Sequence, residues 1–181
     1  MDIKKVGIAG LGTMGSNIAI VCIRGGLEIV ALEANDEALQ NGLGRIRAFL
    51  DAGVENGKMP PQDREAMLGR LAGTSEINDL AGCDFVIEAI NENLEEKIAL
   101  LQTLDGILGE EAIIASNTST LSITAMGAAS GRADRFIGAH CCLPAALNKL
   151  VEVAPGSLTG PDTTKAVMSF STMSNSDLNV C

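Results

Sequence analysis

The single histidine of the chain, His140, is the residue best suited to proton transfer near neutral pH. It follows an apolar run, residues 136–139, of the kind that forms a buried strand. A second apolar run, residues 150–153, carries the carboxylate Glu152 between two valines. Because a buried carboxylate needs a partner, we expect Glu152 to pair with His140. The pair would fix the imidazole tautomer and leave the other ring nitrogen to exchange a proton with a hydroxyl, as an alcohol dehydrogenase without a metal requires.

Three glycines form a G-x-G-x-x-G turn at the end of another apolar run, residues 6–10. The first glycine permits a tight turn, the second lets the backbone approach a pyrophosphate, and the third lets the following helix pack on the strand. The pyrophosphate then lies at the helix N-terminus, where backbone N–H groups point toward it. The turn therefore predicts a dinucleotide site, and its residues are Gly10, Leu11, Gly12, Thr13, Met14 and Gly15.

The next apolar run, residues 27–33, ends in a carboxylate that selects the dinucleotide. A carboxylate at the position of Glu33 accepts a hydrogen bond from the 2′-hydroxyl of the adenosine ribose and repels a 2′-phosphate. Residues 34–37 contain no cation that could bind such a phosphate. The sequence therefore predicts NAD rather than NADP as the cofactor.

Short apolar runs alternate with helical patterns along the chain, as in βαβ units. The pattern over residues 36–71 predicts a helical hairpin inserted after the second strand. Further runs begin near residues 84 and 112, and the helix between them has Asn93 as its expected N-cap. This alternation predicts an α/β fold, with a doubly wound and mainly parallel Rossmann-type sheet in one domain over residues 1–181.

Composition and charge exclude several classes of partner. The 23 acidic residues outnumber the 13 Lys and Arg, and the net charge of −10 opposes binding to nucleic acid. Four phenylalanines, without Trp or Tyr, offer few platforms on which bases could stack. No run is long and apolar enough to predict a membrane span. Five cysteines without a C-x-x-C pair predict neither a disulfide framework nor a metal site, which fits the cytoplasm.

Five motifs occur in order along the chain: VGIAGLGTMG (6–15), EAINENL (88–94), SNTS (116–119), DRFIGAH (134–140) and KLVEV (149–153). In this order and spacing they resemble the NAD-binding domain of the 3-hydroxyacyl-CoA dehydrogenase family. The resemblance implies oxidation of an L-3-hydroxyacyl-CoA to a 3-oxoacyl-CoA with NAD. It also implies a homodimer for a full-length protein.

The same resemblance implies roles for individual residues. It makes His140 the general acid and base, and Glu152 the carboxylate that orients it. It places Ser119 beside the substrate oxygen and the nicotinamide. Glu92 and Lys97 are expected to contact the nicotinamide half of the cofactor.

The chain departs from the family pattern in three ways. Leu143 precedes Pro144, where the family commonly has Asn. Phe49 and Asn56 occupy the hairpin positions that reach CoA, and neither is a phosphate ligand. The family's C-terminal helical domain, which adds another site Asn and most of the acyl pocket, is absent from the sequence. We therefore expect the chain to bind NADH and to turn over 3-oxoacyl substrates slowly.

These departures keep other functions open. One is a dehydrogenase of a small 3-hydroxy acid without CoA, and another is a non-catalytic NAD-binding protein of the crystallin type. Arg45, Arg47 and Lys58 are possible substitutes for the missing CoA contacts. A thiol nucleophile formed by Cys142 with His140 is a further alternative, although no orienting group accompanies it.

Overall fold

The strands of the protein form a single sheet in the computed structural model, which describes residues 3–142, 150–173 and 179–180. Eight strands lie in the order β3-β2-β1-β4-β5-β6-β7-β8. Their bounds are β1 Lys5–Ala9, β2 Glu28–Leu32, β3 Leu71–Thr74, β4 Phe85–Glu88, β5 Ile113–Ser116, β6 Phe136–Cys141, β7 Leu150–Pro155 and β8 Asn179–Val180.

Six α-helices connect the strands in the described part of the chain. Polar side chains cap three of them: Asn35 accepts a hydrogen bond from the backbone N–H of Ala38, Asn93 accepts from those of Glu95 and Glu96, and Ser122 accepts from that of Ala125. None of the described helices is both long and apolar enough to cross a bilayer. Their bounds are α1 Thr13–Arg24, α2 Asp36–Glu55, α3 Pro61–Leu68, α4 Leu94–Ile107, α5 Ile123–Ala129 and α6 Pro161–Met173.

The strand order reverses beside β1, and this reversal locates the functional crevice. From β1 the chain adds β2 and β3 on one side and then β4, β5 and β6 on the other, all in parallel. Strand β7 then pairs antiparallel with β6. Because the helices on the two sides diverge at such a reversal, ligands bind there, at the carboxyl ends of the strands.

Apolar side chains on the two faces of the sheet bury separate layers of helices. Ile18 and Leu50, from α1 and α2, belong to one buried cluster, whereas Leu101 and Leu104 of α4 belong to the other. Successive strand residues alternate between the clusters, as the period of two requires. The predicted doubly wound and mainly parallel α/β sheet is therefore confirmed.

Two strands of the sheet were not predicted, and one of them shortens the inserted hairpin. Helix α3 ends at Leu68, and Leu71 begins β3, which pairs with β2. The expected helical limit at residue 71 is therefore wrong. Strand β3 has only four residues, none of them fully buried, so it lacks the apolar run that marks the inner strands. Strand β8, at Asn179–Val180, is shorter still.

Candidate active site

A cavity of about 480 Å³ opens at the carboxyl ends of β1, β4, β5 and β6. It lies beside the reversal of strand order, where the fold predicts a ligand site. Side chains from the Gly-rich turn and from the ends of three other strands therefore meet in one place. The wall of the cavity includes Met14, Glu92, Lys97, Asn117, Ser119 and His140.

The structure brings His140 and Glu152 together, but not for the reason that the sequence suggested. The two residues lie directly opposite each other in the β6–β7 pair, so their side chains share one face of the sheet. His140 Nδ1 lies 2.6 Å from Glu152 Oε2. The expectation that Glu152 is buried is wrong, because its side chain is 53% exposed. Strand register, rather than burial, explains the contact.

The Gly-rich turn has the backbone that a dinucleotide requires. Gly10 has φ +94, and a Cβ there would lie 2.8 Å from the carbonyl oxygen of Ala89. A Cβ on Gly15 would overlap the carbonyl oxygen of Gly10, at 1.7 Å, so α1 packs too closely for any side chain. A Cβ on Gly12, in contrast, would meet no atom within 4 Å. The backbone at Gly12 is therefore open to a ligand, while its neighbours fix the turn.

Glu33 lies immediately after β2 and reaches the same turn. Its Oε1 atom accepts a hydrogen bond from the Leu11 backbone N–H at 2.5 Å. The Leu11 side chain is fully buried, so only its backbone faces this region. Arg45 donates to the Leu11 carbonyl oxygen at 3.0 Å, a contact that the sequence did not predict. The carboxylate is thus positioned beside the Gly-rich turn, as the βαβ motif predicts.

Glu88 has the partners that sequence analysis did not identify. Its fully buried carboxylate accepts hydrogen bonds from Lys97 Nζ and Ser116 Oγ, both at 2.5 Å, and from the Ile90 backbone N–H at 2.8 Å. Glu88 and Ser116 are register partners across β4 and β5. The pairing of β4 with β5 could have predicted this contact, because residues paired across parallel strands lie on the same face of the sheet and close together.

Lys97 is held by protein carboxylates at the inner wall of the cavity. Its side chain is 1% exposed, and its Nζ also lies 3.3 Å from Glu92 Oε2. Glu92 Oε1 accepts hydrogen bonds from Thr118 Oγ1 and, at 3.0 Å, from Thr120 Oγ1. Ser119, between these threonines, lies at the cavity wall. The N-cap of α5 is Ser122 and not Ser119, so the latter has no capping role.

The environment of Glu92 strongly favours its ionised form. Burial is the largest single influence and raises the pKa, but the hydrogen bonds from Thr118, Thr120 and Lys97 together outweigh it. They hold the pKa of Glu92 at about 2. Because this pKa lies below the ordinary carboxyl value, Glu92 stabilises the fold above about pH 4.5, and this contribution is lost as the pH falls through about 2.

We expect Thr118→Val to raise the pKa of Glu92 toward the ordinary value of 4.5, because it removes one hydrogen bond to the ionised carboxylate. A carbon-13 NMR titration of the glutamate side chains, assigned with Glu92→Gln, measures the midpoint. Ser122→Ala is the matched control, since that hydroxyl bonds to the backbone of α5 instead. A Glu92 midpoint near pH 4.5 in the unmodified chain would contradict the assignment.

The departures from the family pattern have structural explanations where the structure describes them. Phe49 packs against the larger apolar cluster, and the Asn56 side chain donates to the carbonyl oxygen of Ala52 at 2.7 Å. Leu143 and Pro144 lie outside the described residues. Asn117 was not predicted as a site residue, yet its Oδ1 accepts a hydrogen bond from the Cys141 N–H at 2.8 Å. This bond fixes the end of β6 beside the loop that carries Ser119.

Comparison with known proteins identifies the relatives of this arrangement. The family model described as 3-hydroxyacyl-CoA dehydrogenase, NAD binding domain, matches residues 5–177. A probable 3-hydroxybutyryl-CoA dehydrogenase of Deinococcus radiodurans is 41% identical over 163 residues, which cover 90% of this chain and 58% of the relative. The chain therefore spans less than two thirds of the length of that relative.

Solved structures of related proteins are similar to this chain in fold as well as in sequence. The crystal structure of (S)-3-hydroxybutyryl-CoA dehydrogenase from Ralstonia eutropha matches with a TM-score of 0.95 and 40% identity, covering 99% of this chain and 62% of that one. An NAD⁺-dependent dismutase, 5-formyl-3-hydroxy-2-methylpyridine 4-carboxylic acid 5-dehydrogenase, matches with a TM-score of 0.87 and 30% identity, covering 99% of this chain and 57% of that one. With the family model matching nearly its full length, the chain belongs to the NAD-binding domain family of the 3-hydroxyacyl-CoA dehydrogenases.

Proposed function

We propose that the chain is the cofactor domain of an NAD-dependent dehydrogenase that interconverts L-3-hydroxyacyl-CoA and 3-oxoacyl-CoA. The observation that carries this proposal is the contact of 2.6 Å between His140 Nδ1 and Glu152 Oε2 at the cavity. It leaves Nε2 as the ring nitrogen available to a substrate hydroxyl. The family match and the names of the relatives support the same activity.

The residues at the Gly-rich turn fit NAD. The open backbone at Gly12, at the start of α1, suits a pyrophosphate, and the Glu33 carboxylate, beside this turn, would contact the adenosine ribose. When bound, NAD supplies the hydride acceptor at its nicotinamide ring. Glu92 and Lys97, farther along the cavity, would face the nicotinamide half, with Lys97 acting mainly by fixing the Glu92 carboxylate.

Proton transfer is the part of the reaction that the protein's own side chains perform. During oxidation, His140 takes the proton of the C3 hydroxyl as the hydride leaves C3, and in reduction it returns that proton. Glu152 fixes the tautomer by accepting the Nδ1 hydrogen and stabilises the imidazolium that forms. Ser119, on the cavity wall, would donate a hydrogen bond to the substrate oxygen.

Substituting Glu33→Ala should weaken NADH binding by roughly tenfold to hundredfold, the range of a lost hydrogen bond to a charged group. NADPH should lose less affinity, because the substitution also removes a charge that repels the 2′-phosphate. Calorimetry with both cofactors measures this difference. Glu37→Ala is the control, since it removes a nearby exposed carboxylate on α2. Tighter binding of NADPH than NADH by the unmodified chain would overturn the cofactor assignment.

A small 3-hydroxy acid without CoA is the second candidate substrate. Phe49 and Asn56 are engaged within the fold and leave the expected CoA contacts unassigned. In addition, one similar structure is named for a pyridine carboxylic acid rather than a CoA thioester. NADH oxidation with acetoacetyl-CoA and with acetoacetate tests both candidates. A marked preference for acetoacetyl-CoA supports the main proposal, and equal rates contradict its CoA requirement.

A further inference from the structure

Three metal-ligating side chains converge beside the cavity. His140 lies on β6, and Cys142 immediately follows the last residue of that strand, two positions further along the chain. Glu152 lies opposite His140 on β7. One ligand atom from each of the three side chains lies within 4.8 Å of the other two. The nitrogen, sulfur and oxygen donors therefore surround one small volume.

We propose that His140, Cys142 and Glu152 form a binding site for Zn²⁺, and that the bound ion blocks proton transfer by His140. Zinc sites with an open position commonly use three protein ligands and leave the fourth to water. The usual zinc–nitrogen, zinc–oxygen and zinc–sulfur bond lengths place ligand atoms roughly 3.3–3.7 Å apart in a tetrahedron. The ligand atoms lie within 4.8 Å of one another, so this geometry requires Glu152 to move slightly away from Nδ1 and any longer distance to the sulfur to shorten. The exposed position of Glu152 permits its movement.

The chemistry of the donors favours zinc over the hard cations. Magnesium and calcium prefer oxygen ligands, whereas a thiolate with an imidazole selects zinc among the abundant divalent ions. Binding deprotonates the Cys142 thiol, and the released proton passes to solvent. The thiolate and the Glu152 carboxylate then balance the two charges of the ion, so the site is electrically neutral when occupied.

Zinc bound to either ring nitrogen of His140 prevents this side chain from accepting the substrate proton. If zinc binds Nδ1, the neutral imidazole keeps its hydrogen on Nε2 and cannot accept another proton there. If zinc binds Nε2, the ion itself occupies the position of the substrate hydroxyl. The inhibition thus rests on the proposed role of His140, whereas metal binding depends only on the cluster.

Cys142 differs from the neighbouring thiol. The Cys141 side chain packs against the larger apolar cluster, and burial raises the pKa of its thiol to about 12. That environment opposes formation of the thiolate that a metal requires. Cys141 is therefore the matched control for Cys142, because it is the adjacent cysteine but does not belong to the cluster of ligating side chains.

Cobalt(II) is the probe that tests the site, since it replaces zinc and gives a charge-transfer absorption when a thiolate coordinates it. The full chain should bind one equivalent of Co²⁺ with this absorption, and Zn²⁺ should displace the cobalt. Cys142→Ser should abolish the absorption, Glu152→Gln should weaken binding at least tenfold, and Cys141→Ala should retain both. Absence of the absorption, or its persistence in Cys142→Ser, would refute the site.

Inhibition requires a separate measurement with the catalytically competent protein. Zn²⁺ should slow NADH oxidation by acetoacetyl-CoA, a chelator should restore the rate, and Cys142→Ser should retain its own zinc-free rate when zinc is added. Zinc that binds without slowing the reaction would overturn the regulatory part of the proposal. If the metal-free protein neither binds NADH nor shows dehydrogenase activity, the proposed function fails, while the cobalt spectra still decide whether the site exists.

Discussion

Replacing His140 by Gln should slow the reduction of acetoacetyl-CoA by NADH by roughly 10²- to 10⁴-fold, the usual contribution of a positioned acid or base. Glutamine is polar and of comparable length, but its amide cannot deliver or accept a proton near neutral pH. The affinity for NADH should change little, because the Gly-rich turn and Glu33 follow β1 and β2, and β4 and β5 lie between these strands and β6. Stopped-flow kinetics and calorimetry measure the two quantities.

The substitution Glu152→Gln tests the orienting role of Glu152 separately from proton transfer by His140. The amide can still lie opposite His140 in the β6–β7 register, but it no longer stabilises the imidazolium. We therefore expect a smaller loss of rate than for His140→Gln, and a double variant no slower than His140→Gln alone. A His140→Gln variant that retains most of the rate would contradict the acid–base assignment, as would additive losses in the double variant.

The contact between His140 and Glu152 shows what could be inferred from sequence and what could not. Residue types and positions identified His140 and Glu152 as partners, because the single imidazole follows one apolar run and Glu152 lies inside another, where a buried carboxylate would need a partner. The argument from burial was wrong, since Glu152 is largely exposed. The antiparallel turn of β7 onto β6 determines the contact, and strand direction is not encoded in an apolar run of four residues.

Contacts between strand ends were harder to predict. The partner of Glu88 depends on which strand lies next to β4, and that follows from strand order rather than from spacing along the chain. Once β5 is placed there, Ser116 faces Glu88 directly. Strand β3 was not predicted from the sequence for a related reason. It lies at the edge of the sheet, where Leu71 is only half-buried, so the strand contains no apolar run. Local patterns therefore predicted the inner strands, whereas tertiary neighbours determined the polar network.

The buried pair of Glu88 and Lys97 should make the largest contribution to stability among the polar contacts of the site. Glu88→Ala leaves the ammonium group of Lys97, which is 1% exposed, without its closest counter-charge, at a cost of roughly 3–5 kcal/mol. The remaining contact with Glu92, at 3.3 Å, is partly open to solvent and offsets little of this cost. Urea unfolding should show a lower midpoint with an unchanged slope.

A double variant distinguishes the unpaired charge from a merely altered shape. Glu88→Gln with Lys97→Met removes both charges, keeps an acceptor for the Ile90 N–H, turns an amide donor toward the Ser116 hydroxyl oxygen, and fills similar volume. Because replacing a buried ion pair by uncharged groups is often neutral, most of the lost stability should return. The single variant Glu88→Gln should fall between Glu88→Ala and the double variant, since it leaves Lys97 charged but hydrogen-bonded. Equal stabilities for Glu88→Ala and the unmodified chain would show that Lys97 finds another partner or water, and that the network does not hold this wall of the cavity.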